Sequence, residues 1–434
     1  MTPLLLPLHG LGGRQDLPLP FEFVLIGAAA ALAVSFAVLL AAWPSPRFGE
    51  PSGRPLPRLT RLVDAPLTLW VGRVMVGGLY GLIAAALLLG QDRITNPAFG
   101  FVYVWVWVGI VPISLLAGRV WRTLNPPRSL AQVVTWLTRR PDGLRPLSEQ
   151  AWHRLGLLPA ALGLLGFTWL ELVQPDNNTL RVVGAWVLAW LVVLLGGVAL
   201  VGDRWIAAAD PFEVFADTIA RLSPWQRIGG ELQLVNPLRH VATTPNRVGT
   251  ASVTAVLLGG TAYDSFSNTS WWIAAVQTST APPALWQTTG LLAMVAAVGI
   301  SFGLAGLALG RGMTNRLAAG LIPIVAGYSI AHYLSLLVIE GQRTLIGLSD
   351  PLGLGWNLFG TAELGVYTGI FDHPEVTALI QLGAILVGHL IGVLITHEVA
   401  VSASPKGRAA LTQVPLLALM IGYTTAGLLL LFSP

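Results

Sequence analysis

Residues Ala326–Gln342 read AGYSIAHYLSLLVIEGQ, an apolar stretch with a histidine near its middle. At about 1.5 Å per residue, a helix of about twenty such residues crosses a hydrocarbon core about 30 Å thick. His332 therefore sits where an ionisable group costs at least a few kcal/mol, and such groups face a cavity or a partner rather than lipid. About fifty residues on, VGHLIGVLITHE places His389 and His397 in another apolar run, so a set of residues needs explaining.

The rest of the chain matches this segment. Hydrophobic residues make up 54% and charged residues 11% of the 434 positions, against about 25% charged in soluble domains. The expected fold is all-α, a polytopic membrane bundle. Ten apolar runs are long enough, or nearly so, to cross: about 21–43, 67–90, 98–118, 155–173, 181–201, 248–263, 284–309, 317–340, 376–398 and 411–432. Residues 1–20 read as an extracytoplasmic tail, and 21–434 as a single transmembrane domain. The sixth run is short and rich in Thr and Ser, as in a broken or cavity-lining helix. No cleavable signal is evident, because the first long apolar run continues for a full span.

Charge distribution gives an orientation. The connections after runs 1, 3, 5, 7 and 9 hold about 20 of the 25 basic residues, including Arg54, Arg58, Arg122, Arg139, Arg140, Arg221, Arg239 and Lys406. Cytoplasmic loops carry such an excess, so both termini are expected outside, in a multi-pass inner (plasma) membrane protein. About 11 of the 21 acidic residues fall on the outer side, and that field would draw cations towards any cavity mouth there. Arg73 lies within the second run near its inner end, within snorkelling reach of headgroups.

Two inner connections carry helix-start signals, Asn125-Pro126 in NPPRSLAQVVTWLTRR and Asp210-Pro211 in DPFEVFADTIARLSP. A capping side chain followed by proline opens a helix. Leu130, Val133, Val134 and Leu137 form one apolar stripe, and Phe212, Phe215, Ile219 and Leu222 another. Both segments are expected to lie as amphipathic surface helices on the inner leaflet. They start 85 residues apart, as a degenerate repeat would. Trp105 and Trp107 read as packing residues, and Gly388 with Gly392 as a point of close helix approach.

Several polar residues fall on shared helix faces. Tyr328 and Ser335 lie four before and three after His332, and Glu340 marks the outer end of that run. Gln381, His389 and Thr396 share a face of the ninth run, while His397 and Glu398 fall at its inner end, among headgroups. Asp264 at the end of the sixth run, Glu171 at the end of the fourth, and His9 and Asp16 in the tail are the candidate partners on the outer side. His332, His389 and Asp264 are the candidate catalytic groups. His332, His389 and His9 are the candidate metal ligands, and Tyr328, Ser335, Glu340, Gln381 and Thr396 the candidate substrate or ion pathway.

Cysteine is absent, which removes disulfides, thiolate metal sites and iron–sulfur clusters. His and carboxylate without sulfur suit a divalent zinc, manganese, iron or copper ion, although no metal-motif spacing is present. The motifs GxSxG, GxGxxG and the P-loop are missing, and nothing points to nucleic acid. The lipid bilayer and a small molecule or cation are the expected partners.

HGLGGRQDLPLP before the first run, NPLRH ahead of the sixth, AHYLSLL, SDPLGLGWNLFG and GHLIGVLITHE together resemble a group of polytopic membrane proteins labelled fenitrothion hydrolase. The resemblance runs over nearly the whole chain, with matching polar positions His9, Asp16, His332, Asp350 and His389. It implies hydrolysis of an organophosphate-type ester, a metal-bound or base-activated water attacking phosphorus while His or Asp takes its proton. Two alternatives use the same residues. In a secondary transporter or proton- or cation-conducting protein they would relay protons or bind a cation, and in a subunit of a larger complex they would pack or ligate haem.

Overall fold

The computed structural model describes residues 14–50, 52–310, 312–403 and 409–432; His9 and Lys406 lie outside them. Twelve helices frame the description. They are α1 (Phe21–Ala42), α2 (Pro66–Leu89), α3 (Pro97–Val106 with Ile110–Ala117), α4 (Pro126–Thr138), α5 (Leu158–Leu172), α6 (Leu180–Val201), α7 (Pro211–Ile219), α8 (Thr250–Ser267), α9 (Pro283–Leu307), α10 (Leu321–Gly347), α11 (Pro374–Ala403) and α12 (Ala409–Leu431).

Each of the ten apolar runs contains a helix. Eight helices among the described residues are long and apolar enough to cross a membrane, and α3, bent by 49° at its break, makes a ninth candidate. The protein is a helical membrane protein. Helix α8 is the exception in composition: its threonines and Asp264 lower its apolarity, yet most of its residues are buried. Gly259 explains how it packs, since a Cβ there would meet the Val295 backbone of α9 at 2.6 Å. Prolines open α2, α3, α4, α7 and α9, where the missing N–H costs nothing.

Contacts cluster in two compact units. The first comprises residues 1–51, 237–336 and 368–434, and the second residues 52–236 and 337–367. In the first unit α1, α11 and α12 pack on one another, and α10 crosses α11 at its glycines. A Cβ on Gly388 would lie 2.7 Å from the Pro323 carbonyl oxygen, and one on Gly327 would lie 2.3 Å from that of Ala384. Backbones this close are the use small residues serve in lipid, where packing rather than hydrophobicity holds helices together.

The second unit contains α2 to α7 and a three-stranded antiparallel sheet, absent from the sequence reading. Its strands β1 (Gly53–Pro55), β2 (Trp225–Ile228) and β3 (Glu231–Val235) run in the order β1-β3-β2. Gly229 and Gly230, both at positive φ, make the two-residue turn between β2 and β3, as Gly-Gly between strands permits. The inner aromatic packing centres on Phe167, whose ring centroid lies 4.9 Å from that of Trp107 and 5.2 Å from that of Phe212. Trp105 donates its indole N–H to the Gly341 carbonyl at 3.1 Å.

One of the two expected surface helices is corrected by this packing. Helix α4 does expose Leu130, Val133 and Leu137. Helix α7 instead lies inside the unit against α3 and α5, with Phe212, Phe215 and Ile219 buried. Its stripe faces protein because the opposite face, with Glu213 and Ala216, is covered too.

Candidate functional site

The first unit joins Asp264 of α8 to His332 of α10. The ring Nε2 lies 2.9 Å from Asp264 Oδ2, and Tyr333 donates its hydroxyl to the same oxygen at 3.0 Å. On the other ring nitrogen, Ser265 Oγ lies 3.2 Å from His332 Nδ1 and 3.1 Å from the Tyr328 hydroxyl. Asp264 and His332 are 3% and 2% exposed, so the pair is held away from lipid and solvent alike.

Helix geometry explains why these side chains meet. Tyr328 and His332, four residues apart, share a face, and their rings stack at 6.0 Å with planes 4° apart. Asp264 and Ser265 are adjacent on α8, so one helix turn presents an acceptor to one ring nitrogen and a hydroxyl to the other.

With Asp264 ionised, the donor and acceptor inventory gives the chain one polarity. An ionised carboxylate only accepts, so Nε2–H donates to Asp264 and Nδ1 is left to accept from Ser265, whose oxygen accepts from Tyr328. Every hydrogen then points towards Asp264. The reverse polarity, with a protonated Asp264 donating to Nε2, uses the same atoms.

The remaining expected site residues divide between the units. Ser335 is buried in α10, three residues after His332. Gln381 donates to the Ala331 carbonyl at 2.9 Å and ties α11 to α10 one residue before His332. Thr396 is buried against Gly320. His389 donates Nδ1–H to Ile385 O at 2.9 Å within its own helix and makes no hydrogen bond to His332. Its Nε2 is buried without a hydrogen-bond partner among the described residues. Glu340 falls in the second unit and pairs with Arg343. Glu171 also belongs there, as does Asp350, which closes a turn by accepting from Leu354 N and Gly355 N. Asp16 lies in a short 3₁₀ turn, Arg14–Asp16.

His397 and Glu398 are buried rather than among headgroups. Glu398 accepts from Trp43 Nε1 at 2.8 Å and from the backbone N–H groups of Arg47 and Phe48. His397 bonds the Trp43 carbonyl at 3.0 Å and Gln413 at 2.8 Å. Together they anchor the chain leaving α1. Gln413 Nε2 has no partner among the described residues, and rotating that amide would bring its N–H to the ring nitrogen.

A second polar cluster, in the second unit, escaped the sequence reading. The two residues that open α4 and α7 meet there: Asn125, whose side chain makes no cap bond to α4, donates Nδ2 to Asp210 Oδ2 at 2.7 Å and to Glu213 Oε2 at 3.1 Å. Arg128 makes a bidentate pair with Glu213, and Arg119 pairs with Asp217 one turn on. Asp210 also caps α7 by accepting from Phe212 N at 3.1 Å. Burial lifts the Asp210 carboxyl to about 7; the Asn125 amide opposes this and the Glu213 carboxylate adds to it. The equal Asn-Pro and Asp-Pro starts were the available signal, but nothing in them said that the caps face each other.

No protein-family model, curated protein or solved structure matches the chain.

Proposed function

We propose that this is a multi-pass inner (plasma) membrane protein that handles protons, as a secondary transporter or proton-conducting protein, with both termini outside. The observation that carries this reading is the His332–Asp264 couple, hydrogen-bonded at both ring nitrogens inside an apolar bundle. The sorting of basic residues supports the orientation.

The relay works by shifting each hydrogen one bond. Tyr328 passes its proton to Ser265, Ser265 passes its own to His332 Nδ1, and Nε2–H passes to Asp264. The result is a neutral Asp264 acid and a Tyr328 oxygen that must take up a proton from beyond the chain. Release from Asp264, rotation of the hydroxyls and tautomerisation of His332, its ring proton moving from Nδ1 to Nε2, restore the starting polarity. Each turn moves one proton, and ionisable residues buried in membranes serve such relays.

Proteoliposomes enclosing a pH-sensitive dye test the proposal. Wild type should dissipate an imposed pH gradient, and Asp264→Asn and His332→Ala should fall to the rate of empty vesicles. Wild-type flux that survives both substitutions rules the relay out.

A hydrolase is the second reading, favoured by one specific observation. Ser265 Oγ, His332 and Asp264 stand in the order of a nucleophile, its base and the base's partner, and the resemblance noted above points to organophosphate-type esters. For the divalent metal that the donor types suggested, the described residues offer no group of three or more His, Asp or Glu side chains. His332 and Asp264 bond each other and His389 bonds elsewhere, so no step is routed through a metal. A fluorophosphonate that labels wild type but not Ser265→Ala, with turnover of a paraoxon-like ester, would replace the proton reading by this one.

A further inference from the structure

A cavity of about 440 Å³ opens on the second unit between α2, α3, α4 and α6. Its α2 wall runs from Arg73 through Gly77, Tyr80 and Ala84 to Leu87 at spacings of three and four, one face of the helix, with Gly81 beside them. Fourteen residues at ~1.5 Å each make a slot about 21 Å long, well over half of the ~30 Å hydrocarbon core. Gly77 and Gly81 have nothing within 4 Å of where a Cβ would stand, so the slot is open along its glycine edge. Helix α2 is also mostly exposed, which places this opening in the hydrocarbon.

The polar groups of the cavity have one character. Arg73, about 10 Å into α2 from Pro66, has no hydrogen bond or ion pair among the described residues, and no acidic side chain lines the cavity. The rest of the lining is mostly apolar. A cation at one end of an apolar slot calls for an occupant with a negative head and an apolar body. A neighbouring helix would fill the slot but leave the cation unmet.

We infer that this cavity is a binding site for an anionic phospholipid, its phosphate on Arg73 and one acyl chain along the α2 glycine face towards Leu87. Arg73 reaches the headgroup level by extending its aliphatic stem, as arginines near helix ends do, and the cytoplasmic leaflet offers such lipids. The site is independent of the proton relay, whose residues lie in the other unit.

Native mass spectrometry of the full chain in detergent, with phosphatidylglycerol or phosphatidylcholine of identical chains, tests it. Wild type should retain the anionic lipid about fivefold better, the size expected for one cation meeting an anionic head. Arg73→Gln should erase the preference and Arg73→Lys should keep most of it. Gly81→Leu, which fills the slot, should lower retention of both lipids. Equal retention by wild type, a preference that survives Arg73→Gln, or retention unaffected by Gly81→Leu would each overturn the inference; the lysine variant shows that a loss is one of charge and not of folding.

Discussion

The two buried polar clusters solve the same problem in different ways. In the first unit, Asp264 accepts from an imidazole and a phenol, partners that themselves hold movable protons. In the second, Glu213 is balanced by the fixed charge of Arg128, while Asp210 receives an amide and a backbone N–H. Held in a dry interior beside the Glu213 carboxylate, with only neutral donors on its own oxygens, Asp210 keeps its proton to higher pH than an ordinary carboxyl.

The sharpest way to break that contrast is to remove the fixed cation. Arg128→Ala leaves Glu213 buried at 1% exposure beside Asp210, and stranding one partner of a buried pair costs about 3–5 kcal/mol. A large drop in the thermal midpoint of the detergent-solubilised protein is expected, and adding Glu213→Gln should recover most of it. If the double variant is as unstable as the single one, the arginine serves packing and not charge.

The pH dependence of stability is the next largest effect. Asp210 ionises at about 7 in the folded protein and near 3.9 unfolded, so the native state binds the extra proton between those values. Its contribution is complete below pH 4 and is lost as pH rises through 7. Roughly three units at 1.36 kcal/mol each set a ceiling of about 4 kcal/mol. Melting from pH 4 to 8 should show this loss in wild type and a flatter profile in Asp210→Asn, which keeps an acceptor for the α7 cap. An unchanged slope would place the titration elsewhere.

How much of this was legible in the sequence follows from what is local. Helix positions were readable because apolar run length answers directly to bilayer thickness, and even the polar α8 stood out as the short sixth run. Tyr328 and His332 were placed together by helical periodicity. Asp264 was named as a partner because the sixth apolar run ends there, but Ser265 and Tyr333 were missed: each sits beside a named residue, and only the packing of α8 against α10 decides which atoms point inward. Pairing His332 with His389 rested on helix adjacency. Adjacency is there, through Gly327 and Gly388, yet rotation about the helix axes gives the two rings different partners. The burial of α7 was illegible for a related reason, since an apolar stripe does not say whether lipid or protein will cover it.

The smallest expected effect separates the relay from mere packing. Ser265→Ala removes one oxygen and leaves His332 Nδ1 and the Tyr328 hydroxyl without the partner they share. An unsatisfied buried polar group costs about 1–3 kcal/mol, so the variant should fold with a modestly lower midpoint. Its proton flux should nevertheless fall as far as that of His332→Ala, because the path from Tyr328 to the ring is cut while Asp264 stays bonded to Nε2. Ser265→Thr, which returns the hydroxyl, should restore flux more fully than stability, since its added methyl must fit beside the stacked rings. Flux that tracks the midpoint across all three variants would mean that Ser265 acts only by holding α8 against α10.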